Sequence, residues 1–210
     1  MLHVETVHES TLDLLRDLQA MPVLADMRLV GGTALALQLG HRVSVDLDLF
    51  GHFDEHVSLQ RLIAGRGHSV EGDLEGAVQT LFVDGVKVDV VNYPYPWLDQ
   101  AVEEDGVRLA SMDDIVPMKL SAAANRGRKK DFIDIAFLLD QYTLGEMFAL
   151  YQRKFSVTEI SNALRGLTYF DTAELDPMPR MFDDLTWDDA KSRIESAVRE
   201  FVIVETQSGL

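Results

Sequence analysis

Two aspartates spaced one residue apart constrain this chain more than any other feature. They lie in Arg42-Val43-Ser44-Val45-Asp46-Leu47-Asp48-Leu49-Phe50, shortly after the glycine pair of Val30-Gly31-Gly32-Thr33-Ala34. The first run reads as a strand carrying Asp46 and Asp48, the second as a strand end turning into a helix. Side chains two apart on a strand point to one side, so Asp46 and Asp48 converge while Leu47 and Leu49 face the core. Neighbouring carboxylates repel unless a cation lies between them, and hard divalent ions take one or two carboxylates together with substrate phosphates. A helix opened by Gly31-Gly32 offers backbone N–H groups to an anion, with no side chain to keep a phosphate away. Together these features point to metal-assisted phosphoryl or nucleotidyl transfer. Taken alone, two acids on an edge strand would be solvated surface.

Other residues extend the pattern. Ser44 shares the strand face of Asp46, where its hydroxyl can hold a phosphate oxygen; Arg42 either does the same or is solvated. In Val86–Asn92, valines at 86, 88 and 90 facing the core would put Asp89 on the face of Lys87. Beside Asp46 and Asp48, Asp89 would complete a three-carboxylate metal site; otherwise it is a surface strand residue. Lys119 sits in the apolar helical run Pro117-Met118-Lys119-Leu120, so it either snorkels or turns inward to meet phosphates. Asp131 and Asp134 lie near one face of the next helix. Asp131 falls in its first turn, where acids are favoured anyway, whereas Asp134 stands between Ile133 and Ile135. The run Arg126, Arg128, Lys129, Lys130 is either a solvated turn or a phosphate-facing cluster. No Walker A sequence and no nucleophile elbow is present, and His52/His56, in an apparent loop, make a poor zinc pair.

The 210 residues suit one large domain or one domain with a helical extension. A net charge of -16 argues against coating nucleic acid through a broad basic face but leaves room for a focused patch. The absence of cysteine rules out disulfides and thiolate zinc sites and fits the cytoplasm. There is no apolar run of about 20 residues to span a membrane, and the first residues lack a basic region followed by an apolar block. The periodicities predict helices over 9–20, 33–39, 58–65, 112–125, 129–142, 146–155, 158–165 and 186–202, and strands over 27–30, 45–50, 78–83 and 86–92. The last two strands form a hairpin around Asp84-Gly85, and 169–185 reads as a loop. The fold class is α+β, a small mixed sheet with flanking helices over 1–106 and a helical part over 107–210.

The segments GGTALALQLGHRVSVDLDLF, KVDVVNY, the helix of Lys119 and KKDFIDIAFLL, taken in order, resemble the AbiEii-type nucleotidyltransferases. These are toxins of abortive-infection toxin–antitoxin systems in the DNA polymerase β-like nucleotidyltransferase superfamily. The resemblance implies a nucleotidyltransferase-type sheet, a divalent metal (Mg²⁺ or Mn²⁺) and a nucleoside triphosphate substrate. It implies a cognate antitoxin and, as some members are reported to do, nucleotide addition to the 3′ end of tRNA. Ser44, Asp46 and Asp48 match the family's phosphate- and metal-binding motif. Lys119 matches the lysine that contacts the triphosphate, and Asp134 the acid of the last motif, with Asp131 in the preceding lysine–aspartate pair beside Lys130. Asp89 holds the position of the third carboxylate. Gly31, Gly32 and Arg42 complete the expected phosphate grip. Two further readings stay open: transfer to a small molecule or a protein, and a catalytically silent binding module.

Overall fold

Alternating apolar residues build a mixed sheet in one part of the chain, and helical periodicities build the other. The computed structural model describes residues 1–73 and 76–208. They divide into two compact units, Met1–Pro96 with Gln100–Ser111, and Trp97–Asp99 with Met112–Leu210.

In the first unit, Leu12, Leu14, Leu15 and Leu18 form the buried face of α1 (Glu9–Gln19). Its cap is His8, two residues before the expected Ser10 and three before Thr11, because the imidazole accepts a hydrogen bond from the Ser10 backbone N–H. β1 (Arg28–Val30) runs directly into α2 (Gly31–Leu39), which therefore starts two residues earlier than expected. β2 (Leu47–Gly51) and α3 (Leu59–Ala64) follow. Next come β3 (Val70–Asp73), β4 (Val78–Val83) and β5 (Val86–Asn92), then β6 (Val102–Glu104) and β7 (Val107–Leu109). The β4–β5 hairpin turns at Asp84-Gly85, with φ of 50° and 82° as a type I′ turn requires.

Among the described residues the strands form one seven-stranded sheet in the order β3-β4-β5-β2-β1-β7-β6. β2 runs parallel to β5 and antiparallel to β1, and β1 runs parallel to β7. This is the mixed sheet that the sequence pattern led us to expect. Three of its strands, β3, β6 and β7, were not anticipated: each is three or four residues long, too short for alternation to register. Leu47, Leu49, Leu81, Val83, Val88 and Val90 fill the core side. β2 begins at Leu47 rather than Val45, so Asp46 lies just before the strand. The backbone there is satisfied outside the sheet: the Ser44 N–H donates to the Thr6 carbonyl at 2.9 Å, and the Asp46 carbonyl accepts from the Thr33 hydroxyl.

The second unit is helical, as expected. It contains α4 (Met112–Asn125), α5 (Lys129–Leu138), α6 (Leu144–Phe155), α7 (Ser161–Gly166), α8 (Asp171–Glu174) and α9 (Trp187–Ser208). Thr143 and Glu146 form a capping box that starts α6 before the expected Glu146. The short α8 lies in the stretch read as loop. Ile133, Ala136, Leu185 and Ala190 form a core cluster against which Phe137, Met181 and Trp187 pack. No helix among the described residues is long and apolar enough to cross a membrane.

Candidate functional site

The chemistry-bearing residues gather in two clusters, one in each unit. In the first unit, the cluster forms where β1 meets α2 and β2 begins. Val30, the last residue of β1, pairs with Asp48 of β2, so Gly31 stands next to that aspartate. A Cβ at Gly31 would strike the Asp48 carboxylate, and one at Gly32 would strike the Arg42 guanidinium and stand 3.3 Å from Ser44 Oγ. The two glycines therefore let a carboxylate, a guanidinium and a hydroxyl close on the first turn of a helix. Val30, its N-cap, supplies no side-chain hydrogen bond. The hydroxyls of Thr33 and Ser44 lie 2.8 Å apart. With one proton given to the Asp46 carbonyl, the other is left to bridge the hydroxyls or to meet a ligand. Arg42 is 2% exposed and donates to its neighbour's carbonyl, Val43, at 3.0 Å. It is therefore not a solvated side chain. Thr33 was missed by sequence reasoning, although its place in the first turn after a glycine pair was the available signal.

Asp48 of β2 and Asp89 of β5 are register partners. Val88 and Val90 point to the core, so Lys87 and Asp89 share the opposite face. The Asp89 carboxylate is turned to its own surroundings: it accepts from Thr80 at 2.7 Å and pairs with Lys87. Asp46 and Asp48 are half-buried. Among the described residues, no three carboxylate or imidazole groups gather into a ready metal cage. Asp46 and Asp48 are nonetheless hard oxygen donors, with the Asp48 carboxylate directly against Gly31 at the start of α2. That chemistry fits Mg²⁺ or Mn²⁺, which complete their shells with phosphate oxygens and water.

In the second unit, Lys119 of α4 is turned inward, 3% exposed. Its Nζ lies 2.6 Å from Asp134 Oδ2 and 3.4 Å from Asp131 Oδ1, both carboxylates being fully buried on α5. Arg126 holds Asp131 with a two-pronged grip, Nε to Oδ2 at 2.7 Å and Nη2 to Oδ1 at 2.8 Å. Burial pushes the Asp131 carboxyl up, but Arg126 and Lys119 outweigh it and hold the group below the ordinary carboxylate range. The basic run is largely engaged within its own unit. Arg128 pairs with Asp176 at 2.7 Å, and Lys129 reaches the Glu174 carbonyl at 3.4 Å and lies over the Trp187 ring. Lys130 is half-buried at the start of α5.

Residues 13–93 and 65–203 match the family described as nucleotidyl transferase AbiEii toxin of a type IV toxin–antitoxin system. An uncharacterized protein of Aquifex aeolicus is 30% identical over 194 residues, spanning 87% of this chain and 91% of the relative. Among solved structures, a candidate nucleotidyltransferase of H. pylori superposes with a TM-score of 0.61 at 19% identity, covering 91% of this chain and 94% of its own. The JHP933 protein of Helicobacter pylori superposes with a TM-score of 0.57 at 19% identity, covering 96% of each chain. At these identities the structural likeness is one of fold, an α+β nucleotidyltransferase architecture with a helical C-terminal part. The sequence match carries the family, and with it a nucleotide substrate and an antitoxin partner. The chain belongs to the AbiEii nucleotidyltransferase toxin family of type IV toxin–antitoxin systems.

Proposed function

We propose that this protein is a divalent-metal-dependent nucleotidyltransferase of the cytoplasm that moves a nucleoside monophosphate from a triphosphate to an RNA acceptor, the 3′ end of tRNA. The observation that carries the reading is the junction of Gly31 and Gly32 with Asp48, Arg42 and Ser44, where missing side chains make room for anionic and cationic groups around a helix N-terminus. Asp46 and Asp48 would hold Mg²⁺ or Mn²⁺, and Asp89, the register partner of Asp48, would join them only on giving up its ion pair with Lys87. The metal, when bound, neutralises triphosphate charge at the reacting phosphorus. Gly31 and Gly32 offer backbone N–H groups to the outer phosphates, and the buried Arg42 supplies positive charge without the freedom to swing into water. Ser44, released from its bridge to Thr33, donates to a phosphate oxygen. Lys119, Lys130 and Asp131 are assigned to phosphate binding by their places in the family motif. Asp134 orients Lys119 through the 2.6 Å ion pair, and Asp131 acts through the same ammonium.

In the transfer itself the acceptor hydroxyl gives its proton to water and its oxygen bonds the α-phosphorus. The bond from that phosphorus to the bridging oxygen breaks, and pyrophosphate leaves. The net charge of -16 and the internal pairing of Arg126, Arg128 and Lys129 favour one second reading, a small cationic acceptor or a protein in place of RNA. The test is transfer of α-³²P-labelled nucleoside triphosphates, each in turn with Mg²⁺, onto total RNA, with Asp46→Ala as control. Label on a tRNA-sized band that is lost in a folded Asp46→Ala protein is the expected result. Equal labelling by the variant would refute the assignment of Asp46, and labelling of protein or a small cation instead would move the acceptor to the second reading.

A further inference from the structure

Beyond Asp48 the same sheet face carries aromatic rings that the transfer site does not use. Phe50 lies two residues on from Asp48, so both side chains point to one face, about 7 Å apart along β2. Phe50 pairs with Val91 of β5 as Asp48 pairs with Asp89. The Tyr93 N–H donates to the Gly51 carbonyl at 2.8 Å, extending the ladder past the end of β5. The Phe50 and Tyr93 ring centroids are 5.2 Å apart at 47°, and those of Tyr93 and Tyr95 are 5.4 Å apart at 59°. Tyr93 is buried and Phe50 half-buried, while Tyr95 is 43% exposed. An inner ring packed in place thus carries an outer ring open to solvent.

The order of groups along the chain gives these rings a direction. Arg42 and Ser44, on the Gly32 side, come first; Asp46 and Asp48 follow; Phe50 comes last. In-line displacement sets the attacking and leaving oxygens on opposite sides of the phosphorus. If pyrophosphate leaves on the side of Gly32, Arg42 and Ser44, the acceptor hydroxyl arrives from the side of Phe50. The charge balance limits how that side can grip RNA. A protein of net charge -16, with Arg126, Arg128 and Lys129 paired internally, has few cations to give to RNA phosphates. Base stacking needs none and tolerates any sequence.

We infer that Phe50, Tyr93 and Tyr95 form a stacking platform for the nucleobase of the acceptor's 3′-terminal nucleotide. This rests on the transfer reading above, and its test separates the two. The probes are a short single-stranded RNA with a free 3′ hydroxyl, labelled at its 5′ end and followed by fluorescence anisotropy, and Mg²⁺–nucleoside triphosphates followed by calorimetry. Tyr95→Ala, at an exposed position, weakens RNA binding by ~5- to 100-fold and leaves triphosphate affinity unchanged; Tyr95→Phe binds like the wild type. Removing the terminal base from the RNA abolishes the difference between wild type and Tyr95→Ala. Wild-type RNA affinity falls by less than about tenfold from low to moderate salt, the shallow dependence of a grip that uses few phosphates. Unchanged RNA binding in Tyr95→Ala overturns the platform, and so does a loss confined to triphosphate binding. Wild-type protein that binds triphosphate but no RNA overturns the platform and leaves nucleotidyl transfer standing. Wild-type protein that binds no triphosphate brings down both.

Discussion

Two buried lysines of the helical unit make instructive neighbours in character. Lys119 and Lys154 each place Nζ 2.6 Å from a fully buried carboxylate, Asp134 and Asp114 respectively. Their surroundings differ. Lys154 is fully buried and lies 4.4 Å from the centre of the Trp97 ring. Its partner Asp114 also accepts the backbone N–H groups of Leu98 and Asp99, at 2.8 and 3.3 Å. The Lys154 pair thus ties the Trp97–Asp99 segment to α4 and α6. Lys119 has a second carboxylate, Asp131, which Arg126 holds with a side chain 56% exposed. One arrangement pins backbone in a dry interior; the other is a chain of charges that reaches water. Burial and an ion pair alone therefore do not mark a lysine as functional, and what separates the two is the company each keeps.

The largest effect expected from this contrast is on stability. Lys154→Ala would leave Asp114 as an uncompensated buried charge and cost about 3–5 kcal/mol, read as a shift in urea-unfolding midpoint. Lys154→Met combined with Asp114→Asn removes both charges, keeps an acceptor for Leu98, and recovers most of that loss. A Lys154→Ala protein that unfolds close to the wild-type midpoint would break the distinction, because the pair would then not be dry.

Arg126→Ala should have a smaller effect, about 1–3 kcal/mol, since Asp131 keeps Lys119 when the guanidinium goes. Its signature lies in acid. In the wild type the Asp131 carboxyl is held below its ordinary value near 3.9, so its contribution to stability is present above that pH and is lost as pH falls through the lower folded value. Without Arg126 burial meets less opposition, the carboxyl rises, and the acid midpoint of unfolding moves to higher pH. Unfolding curves for the two proteins that coincide from neutral pH down to acid would show that Arg126 is not what keeps Asp131 charged.

The parts legible in the sequence are those whose signal is local. The glycine pair, the alternation of Leu47 and Leu49 with the aspartates, and the valines around Asp84-Gly85 each announce themselves within a few residues. The Lys154–Asp114 pair joins residues forty apart, and Arg128 and Lys129 find their partners 48 and 45 residues on. Such pairings leave no periodicity, so a basic run looks the same in sequence whether its charges face solvent or neighbouring helices. For Arg42 two readings stayed open for a related reason: nothing in its own segment shows that Gly32 leaves room for its guanidinium. The short strands β6 and β7 exist because of sheet partners rather than because of their own three residues.

The smallest effect belongs to an exposed cluster in the sheet unit, and it tests whether solvent access sets the scale. His68 stands between two carboxylates, with Nδ1 2.6 Å from Asp84 and Nε2 2.9 Å from Asp17, while Arg66 also holds Asp17. Both ring nitrogens can donate only in the imidazolium. The hydrogen bonds to Asp84 and Asp17 accordingly raise the His68 pKa above its usual value. The sign follows: the contribution to stability is complete below about pH 6.5, the unfolded value, and is lost as pH rises through the higher folded value. Thermal midpoints of the wild type should therefore fall gently through mildly alkaline pH, and those of His68→Asn should stay flat, with a difference of about 0.5–1 kcal/mol at most. Water competes for these carboxylates as it does not for Asp114, so the same count of ionic contacts yields far less. If His68→Asn lost as much stability as Lys154→Ala, ion-pair geometry rather than burial would govern both clusters, and the contrast between Lys119 and Lys154 would have to be drawn again on geometry alone.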